Sequence, residues 1–306
     1  MPANLGYQAR SLSDDTMASK RRLATLVGFT AVLMWSLLAF LTAATGRVPP
    51  FQLTAIAFAV GGAIGLVWLG ARGRWNDLRQ PWQAWLLGVG GLFGYHFFYF
   101  TALRNAPPVE ASLIAFLWPL LMVVLSAFLP GERVRWFHVA GAALGLAGTV
   151  LVVTRGEALT IDPEFLPGYA AAFVCAVTWS TYSVMSRSLA EVPTGAVAGF
   201  CLATAFLSAL AHILLEETIW PASGSEWLAA VALGLMPVGA AFYVWDYGVK
   251  HGDIQVIGAS AYAAPVLSTG VLIAAGYAEP TLAIAGATVL IAGGAALAAK
   301  DLFRRG

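Results

Sequence analysis

The sequence predicts an all-α integral membrane protein of ten transmembrane helices, arranged as two inverted five-helix repeats. Three observations predict it: an apolar composition, ten apolar stretches of spanning length, and landmarks that recur in the same order in both halves of the chain.

Hydrophobic residues fill 59% of the 306 positions, the four charged types only 11%, and the mean hydropathy is +0.76. A water-facing domain carries about a quarter charged residues, so lipid is the solvent this composition fits. A net charge of +1, with no Lys/Arg-rich tract, excludes a nucleic-acid partner. Cys175 and Cys201 sit inside apolar runs. They offer no disulfide framework and no metal spacing, and are expected to be small buried side chains.

Apolar stretches lie near 23–45, 51–71, 82–104, 109–129, 134–154, 166–187, 194–216, 225–249, 254–276 and 280–300. A hydrocarbon core about 30 Å thick takes about 20 residues of helix. Backbone groups must be satisfied within each segment, and barrel strands need only about 9–11 residues, so these are helices. The first stretch outlasts the roughly 7–15 residues of a signal peptide and is expected to stay in place. The units expected are a polar, disordered cytoplasmic tail over 1–20, a first repeat over 21–155, a second over 156–300, and a cytoplasmic tail over 301–306.

Basic residues give the orientation. With the N-terminus inside, Arg10, Lys20, Arg21, Arg22, Arg72, Arg74, Arg79, Arg133, Arg135, Arg187, Lys250, Lys300, Arg304 and Arg305 are cytoplasmic, against Arg47, Arg104 and Arg155 outside. That bias predicts both termini inside a bacterial inner membrane. Trp82 and Trp85, beside Arg79, fit an interfacial belt. No loop is long enough to fold alone, so function is expected within the membrane. A receptor ectodomain and a soluble catalytic head are both excluded.

Trp35-Ser36 recurs as Trp179-Ser180, Pro119 as Pro265, and Glu132 as Glu279, at offsets of 144, 146 and 147. Ala-Phe-Leu-Trp-Pro at 115–119 lines up with Ala-Tyr-Ala-Ala-Pro at 261–265. Five spans per half force the second copy to enter from the opposite side. Such inverted halves can rock about a central site to give alternating access.

These residues, with Gly-Glu at 131–132, Ala-Glu at 278–279 and glycine-rich fifth helices, resemble the drug/metabolite transporter superfamily of the EamA type, from about Leu23 to Lys300. Aromatic residues in span three and Phe-Leu-Trp-Pro at 116–119 resemble the branch that exports aromatic amino acids. The resemblance implies a ten-helix basket around a central cavity, and export of small metabolites.

Depth along the spans nominates substrate-binding residues near the midplane: Trp35, Tyr95, His96, Tyr99, Trp118, Pro119, Trp179, Phe242, Tyr262 and Pro265, with Pro237 nearby. Pro119 and Pro265 each free a carbonyl one turn earlier. Such a carbonyl either meets an ammonium group in a cavity or is satisfied locally at a kink. Tyr95, His96 and Tyr99 share one face of span three. Buried in lipid these groups would lack partners, so an interior position fits them better. Asp246 is a carboxylate inside a span, read either as a coupling group or as the partner of Lys250 at i, i+4. His96 is the other candidate proton carrier, although a neutral, hydrogen-bonded ring is expected. His138, His212 and His251 fall near span ends and carry no assignment. Gly61/Gly65, Gly90/Gly94 and Gly141/Gly145 predict close helix packing within a monomer, with a dimer as the alternative.

The expected function is secondary transport: export of amino acids, aromatic ones included, across a lipid bilayer. No P-loop is present, so no ATP chemistry and no cofactor are expected. Efflux of lipophilic or cationic drugs is the rival. An intramembrane enzyme would need paired Asp, Ser with His, or His-Glu-x-x-His at depth, and a channel a filter motif. The sequence has none of these.

Overall fold

The computed structural model describes residues 3–158, 162–276 and 279–300, with side chains from residue 16 onward. These residues are helical throughout, joined by turns and short loops. In the first half run α1 (Ala3–Trp35), α2 (Leu38–Ala44), α3 (Pro50–Arg72), α4 (Trp82–Asn105), α5 (Pro108–Ala115), α6 (Trp118–Leu125) and α7 (Trp136–Val153). In the second run α8 (Leu166–Ser188), α9 (Val197–Leu215), α10 (Gly224–Leu235), α11 (Ala241–His251), α12 (Ile254–Ser260), α13 (Ala263–Ala274) and α14 (Leu282–Ala298).

Among the described residues, 8 helical stretches are long and apolar enough to cross a membrane: Thr16–Ala44, Pro50–Arg72, Trp82–Asn105, Pro108–Phe128, Trp136–Val153, Thr194–Leu215, Gly224–His251 and Ile254–Ala274. They coincide with the first five expected segments and with the seventh, eighth and ninth. α8 covers the sixth with 23 residues, made more polar by Thr178, Ser180, Ser183 and Arg187. α14 covers the tenth as an apolar helix of 17 residues. The tail expected at 301–306 lies outside the described residues.

One expectation is corrected at the amino terminus. α1 begins at Ala3, so a helix runs through most of the segment expected to be a disordered tail. Propagating backward from an existing span avoids the costly nucleation step, and no proline after Pro2 interrupts it.

Four of the crossings are broken partway. α5 stops before the turn at Phe116–Leu117, and Pro119 sits in the first turn of α6. α12 stops at Ser260, and Pro265 sits in the first turn of α13. Between α10 and α11 lies one π-helical turn, Met236–Ala240, containing Pro237. Proline removes a backbone donor and clashes with the preceding turn, which accounts for all three. The fourth break, at Ser36–Leu37 between α1 and α2, has no proline. There Ser36 Oγ donates to the Leu33 carbonyl at 2.6 Å, a local bond that competes with the helix ladder.

Helices of the first half pack on helices of the second: α1 on α11, α3 on α9, α4 on α8, and α7 on α14. Glycine permits the closest approaches. A Cβ on Gly248 would lie 2.4 Å from Gly28 Cα, and one on Gly141 would lie 2.5 Å from the Gly294 carbonyl oxygen. Gly61 and Gly65 pack as tightly, on Gly239 and Tyr243, and Gly145 packs on the Tyr262 ring. Gly90 departs from the expected pattern, because nothing lies near it. Gly88 and Gly91, on the neighbouring face, admit the rings of Phe200 and Tyr182 instead. Trp82 is exposed, as a belt residue should be, whereas Trp85 packs on Phe200 with ring centroids 5.3 Å apart. Cys175 and Cys201 are buried and free.

Candidate functional site

Four tryptophans meet in the middle of the bundle. Trp35 at the end of α1 has its ring centroid 4.9 Å from that of Trp245, 5.8 Å from Trp179 and 6.3 Å from Trp118. Trp118 on α6 is 5.6 Å from Trp245 and 6.2 Å from Trp179, and Trp179 on α8 is 6.1 Å from Trp245 on α11. Every pair is within the range of favourable aromatic contact. Two of the indoles come from each half of the chain. At these separations the rings themselves occupy the centre.

Two of the indole N–H groups are satisfied within the protein. Trp35 Nε1 donates to the carbonyl of Pro237 at 3.0 Å, which occupies a backbone acceptor within the π-helical turn. Trp245 Nε1 donates to Ser183 Oγ at 3.1 Å.

A second ring layer adjoins the indoles. Phe242, one turn before Trp245, stacks on Phe58 of α3 at 5.3 Å and 9°. His96 of α4 meets Phe58 edge-on at 5.1 Å, and its Nδ1 donates to the Leu92 carbonyl at 2.7 Å. Tyr95 lies 5.3 Å from Trp179 and stacks on Tyr99 at 5.9 Å and 5°. The Tyr99 hydroxyl is 3.4 Å from Ser112 Oγ on α5. Trp118, Trp179, Trp245 and Phe242 are buried, while Trp35, Tyr95, His96 and Tyr99 are half-buried. The accessible edge of the cluster therefore lies along α4, toward Arg104.

Tyr262, Pro119 and Pro265 are set apart from these rings. The Tyr262 hydroxyl accepts from the Leu120 N–H at 3.2 Å, tying the start of α6 to the break before α13. The Ala261 carbonyl, one turn before Pro265, accepts from the Ala264 N–H at 3.1 Å. Buried Asp246 is held by Lys250 Nζ at 2.8 Å and by Thr194 Oγ1 at 2.6 Å, and Lys250 also donates to the Val192 carbonyl at 2.8 Å. The structure thus contains the i, i+4 ion pair, directly beside Trp245.

Charged groups join the halves at the Arg21 end of α1. Glu132, in the turn before α7, accepts from Arg21 of α1 at 3.1 Å, from Gln255 of α12 at 3.2 Å, and from Arg187 of α8. Arg21 also pairs with Asp253 at 3.1 Å, and Arg187 donates to the Val249 and Gly252 carbonyls at 2.9 and 2.8 Å. Glu279, the repeat partner of Glu132, is exposed. At the opposite end Glu216 binds Arg104 at 2.7 Å, His212 at 3.0 Å, and the Phe51 and Gln52 N–H groups that open α3.

Sequence reasoning missed Phe58 and Trp245. Phe58 gives no sign of its direction in an apolar helix. Trp245 had a signal: the 146-residue offset that carries Pro119 to Pro265 also carries His96 to Phe242 and Tyr99 to Trp245.

The EamA-like transporter family matches this chain twice, over residues 22–154 and 166–299. The aromatic amino acid exporter YddG of Ancylobacter novellus is 61% identical over 280 residues, 91% of this chain and 97% of its own. The protein of the same name from Salmonella typhimurium is 24% identical over 80% of this chain and 86% of its own. A solved crystal structure, 61% identical, superposes with a TM-score of 0.87 over 91% of this chain and 98% of its own length.

Proposed function

The chain belongs to the EamA-like transporter family, and we propose that it exports amino acids, aromatic ones included, from the cytoplasm by alternating access. The observation that carries the substrate class is the tryptophan quartet, where both halves contribute flat, polarisable faces to one mid-bundle locus. A solute ring inserted against half-buried Trp35 and Tyr95 would gain edge and face contacts worth about 0.5–1.5 kcal/mol each. Relatives named as exporters of aromatic amino acids support the same solute.

Ten crossings follow when α8 and α14 are counted with the eight apolar spans. Five per half then give inverted repeats. The pairing of helices supports this, since exchanging the halves maps the α1–α11 pair onto α4–α8 and returns α3–α9 and α7–α14 onto themselves. Broken helices beside the quartet are also what a midplane site requires, because irregular backbone is tolerated at depth only inside protein or against a cavity. With both termini cytoplasmic in a bacterial inner membrane, the Glu132 cluster closes the inner face, and the accessible edge of the quartet points outward. A monomer contains both halves of the site.

Drug efflux is less well supported. It calls for an aromatic cavity with a nearby acid to meet a cation, and Asp246 is already paired with Lys250 and accepts a hydrogen bond from Thr194. Reconstitution tests the proposal: proteoliposomes are expected to accumulate labelled Phe and Trp faster than protein-free vesicles. Equal rates across a broad amino acid panel overturn it.

A further inference from the structure

The Glu132 cluster borders a cavity of about 340 Å³ on the side away from the tryptophans, walled by Arg21, Arg22, Glu132, Arg133, Asp253 and Gln255 among others. That volume lies within the roughly 300–1,000 Å³ of small-molecule sites. Its wall presents both signs of charge, with arginines in excess over carboxylates. We propose that it is a loading site for a zwitterionic head group, which the solute occupies from the cytoplasm before it reaches the quartet. The assignment rests on amino acid export as proposed above.

The lining includes arginine donors that the protein leaves unused. Arg133 is exposed and has no ion-pair partner among the described residues. Arg21 places Nη2 on both Glu132 and Asp253, yet its buried Nε has no acceptor. Guanidinium groups suit a carboxylate because planar N–H pairs match its two oxygens. Glu132 and Asp253 supply the complementary acceptors for an α-ammonium group.

The same residues hold the two halves together, and this gives the site its consequence. Pulling Arg21 from Glu132 and Asp253 with nothing in exchange would strand charge in a partly buried place, which is strongly unfavourable. A zwitterion removes that penalty, because its carboxylate takes over the arginine and its ammonium takes over the acids. The cluster then exchanges partners instead of losing them. A ligand shifts a conformational equilibrium only by its differential affinity for the two states, and partner exchange supplies one. Gln255 donates to both Glu132 and Ser126, at 3.2 and 3.1 Å. From Ser126 the α6 axis leads back to Trp118 over roughly 12 Å, at 1.5 Å per residue. A head group at the latch is thus aligned with the path to the quartet.

Phosphatidylethanolamine carries the same pair of charges, so the test separates the two sources. Flux of labelled phenylalanine is measured in everted vesicles, which present the cytoplasmic face, and in right-side-out vesicles, for wild type, Arg133→Gln and Arg133→Lys. The half-saturating concentration of Arg133→Gln is expected to rise roughly fivefold, about 1 kcal/mol, in everted vesicles only, with Arg133→Lys close to wild type. An equal shift from both sides, or no shift, overturns the loading site and leaves export standing. Wild type that moves no amino acid overturns both. Repeating the measurement in liposomes with and without phosphatidylethanolamine decides the source. A shift that persists without this lipid supports the solute, and one that needs it assigns the cavity to the lipid and overturns loading.

Discussion

Trp35 reaches from the end of α1 to the Pro237 carbonyl, 202 positions away in sequence, with Nε1 and O 3.0 Å apart. One indole thereby caps a backbone break in the other half of the chain while touching all three remaining tryptophans.

Trp35→Phe keeps an aromatic ring and deletes that donor. Leaving a buried carbonyl unsatisfied costs about 1–3 kcal/mol, so the apparent melting temperature in detergent is expected to fall by roughly 2–6 °C. An unchanged transition would mean that the bond contributes nothing to stability.

Trp118→Ala removes one wall of the quartet. Flux of labelled tryptophan in proteoliposomes is expected to drop at least about tenfold, equivalent to about 1.4 kcal/mol, with the protein still monodisperse. His96→Ala takes away an edge-on contact to Phe58 and is expected to cost less, about threefold. Wild-type rates in both variants would move the solute site elsewhere.

Glu132→Gln cancels the charge on which Arg21 and Arg187 converge. Ser126, fully buried beside Gln255, can be replaced by cysteine as a reporter, and Cys175 and Cys201 are buried and add little background. Labelling of that cysteine by an impermeant thiol reagent from the cytoplasmic side is expected to be at least about tenfold faster with Glu132→Gln, given about 1.5–3 kcal/mol for a hydrogen bond to a charged group. Equal labelling rates would show that the inner face is closed by something else.

Asp246→Asn leaves Lys250 as a buried, uncompensated cation, at a cost of about 3–5 kcal/mol, and poor expression is expected. Asp246→Asn with Lys250→Met removes both charges and should recover folded protein. If the pair is purely structural, this double variant keeps flux and its pH profile. A flattened pH profile in well-folded double variant would instead make Asp246 a coupling group.

Most of the crossings were legible because lipid demands long apolar runs, and that demand is written residue by residue. Pro119 and Pro265 announced two of the four breaks, and Pro237, read only for its depth in the span, marks a third. Ser36 did not announce the fourth, since serine bends a helix only when its hydroxyl turns back onto the ladder. Which rings face inward was harder to read. A helix apolar on every side has no hydrophobic stripe to orient it, so Phe58 was invisible and Trp245 was overshadowed by Asp246. The Glu132 cluster draws on α1, α8 and α12 and the turn before α7. No spacing within one segment could reveal it.

Four indoles with centroids 4.9 to 6.3 Å apart have consequences for light as well as for solutes. Transition dipoles this close couple, so the resting protein is expected to carry an excitonic signature in the near ultraviolet that isolated tryptophans lack. Separating the halves would leave only the Trp35–Trp118 and Trp179–Trp245 pairs and so change it. The centre of the molecule thus reports its own conformational state without any attached dye.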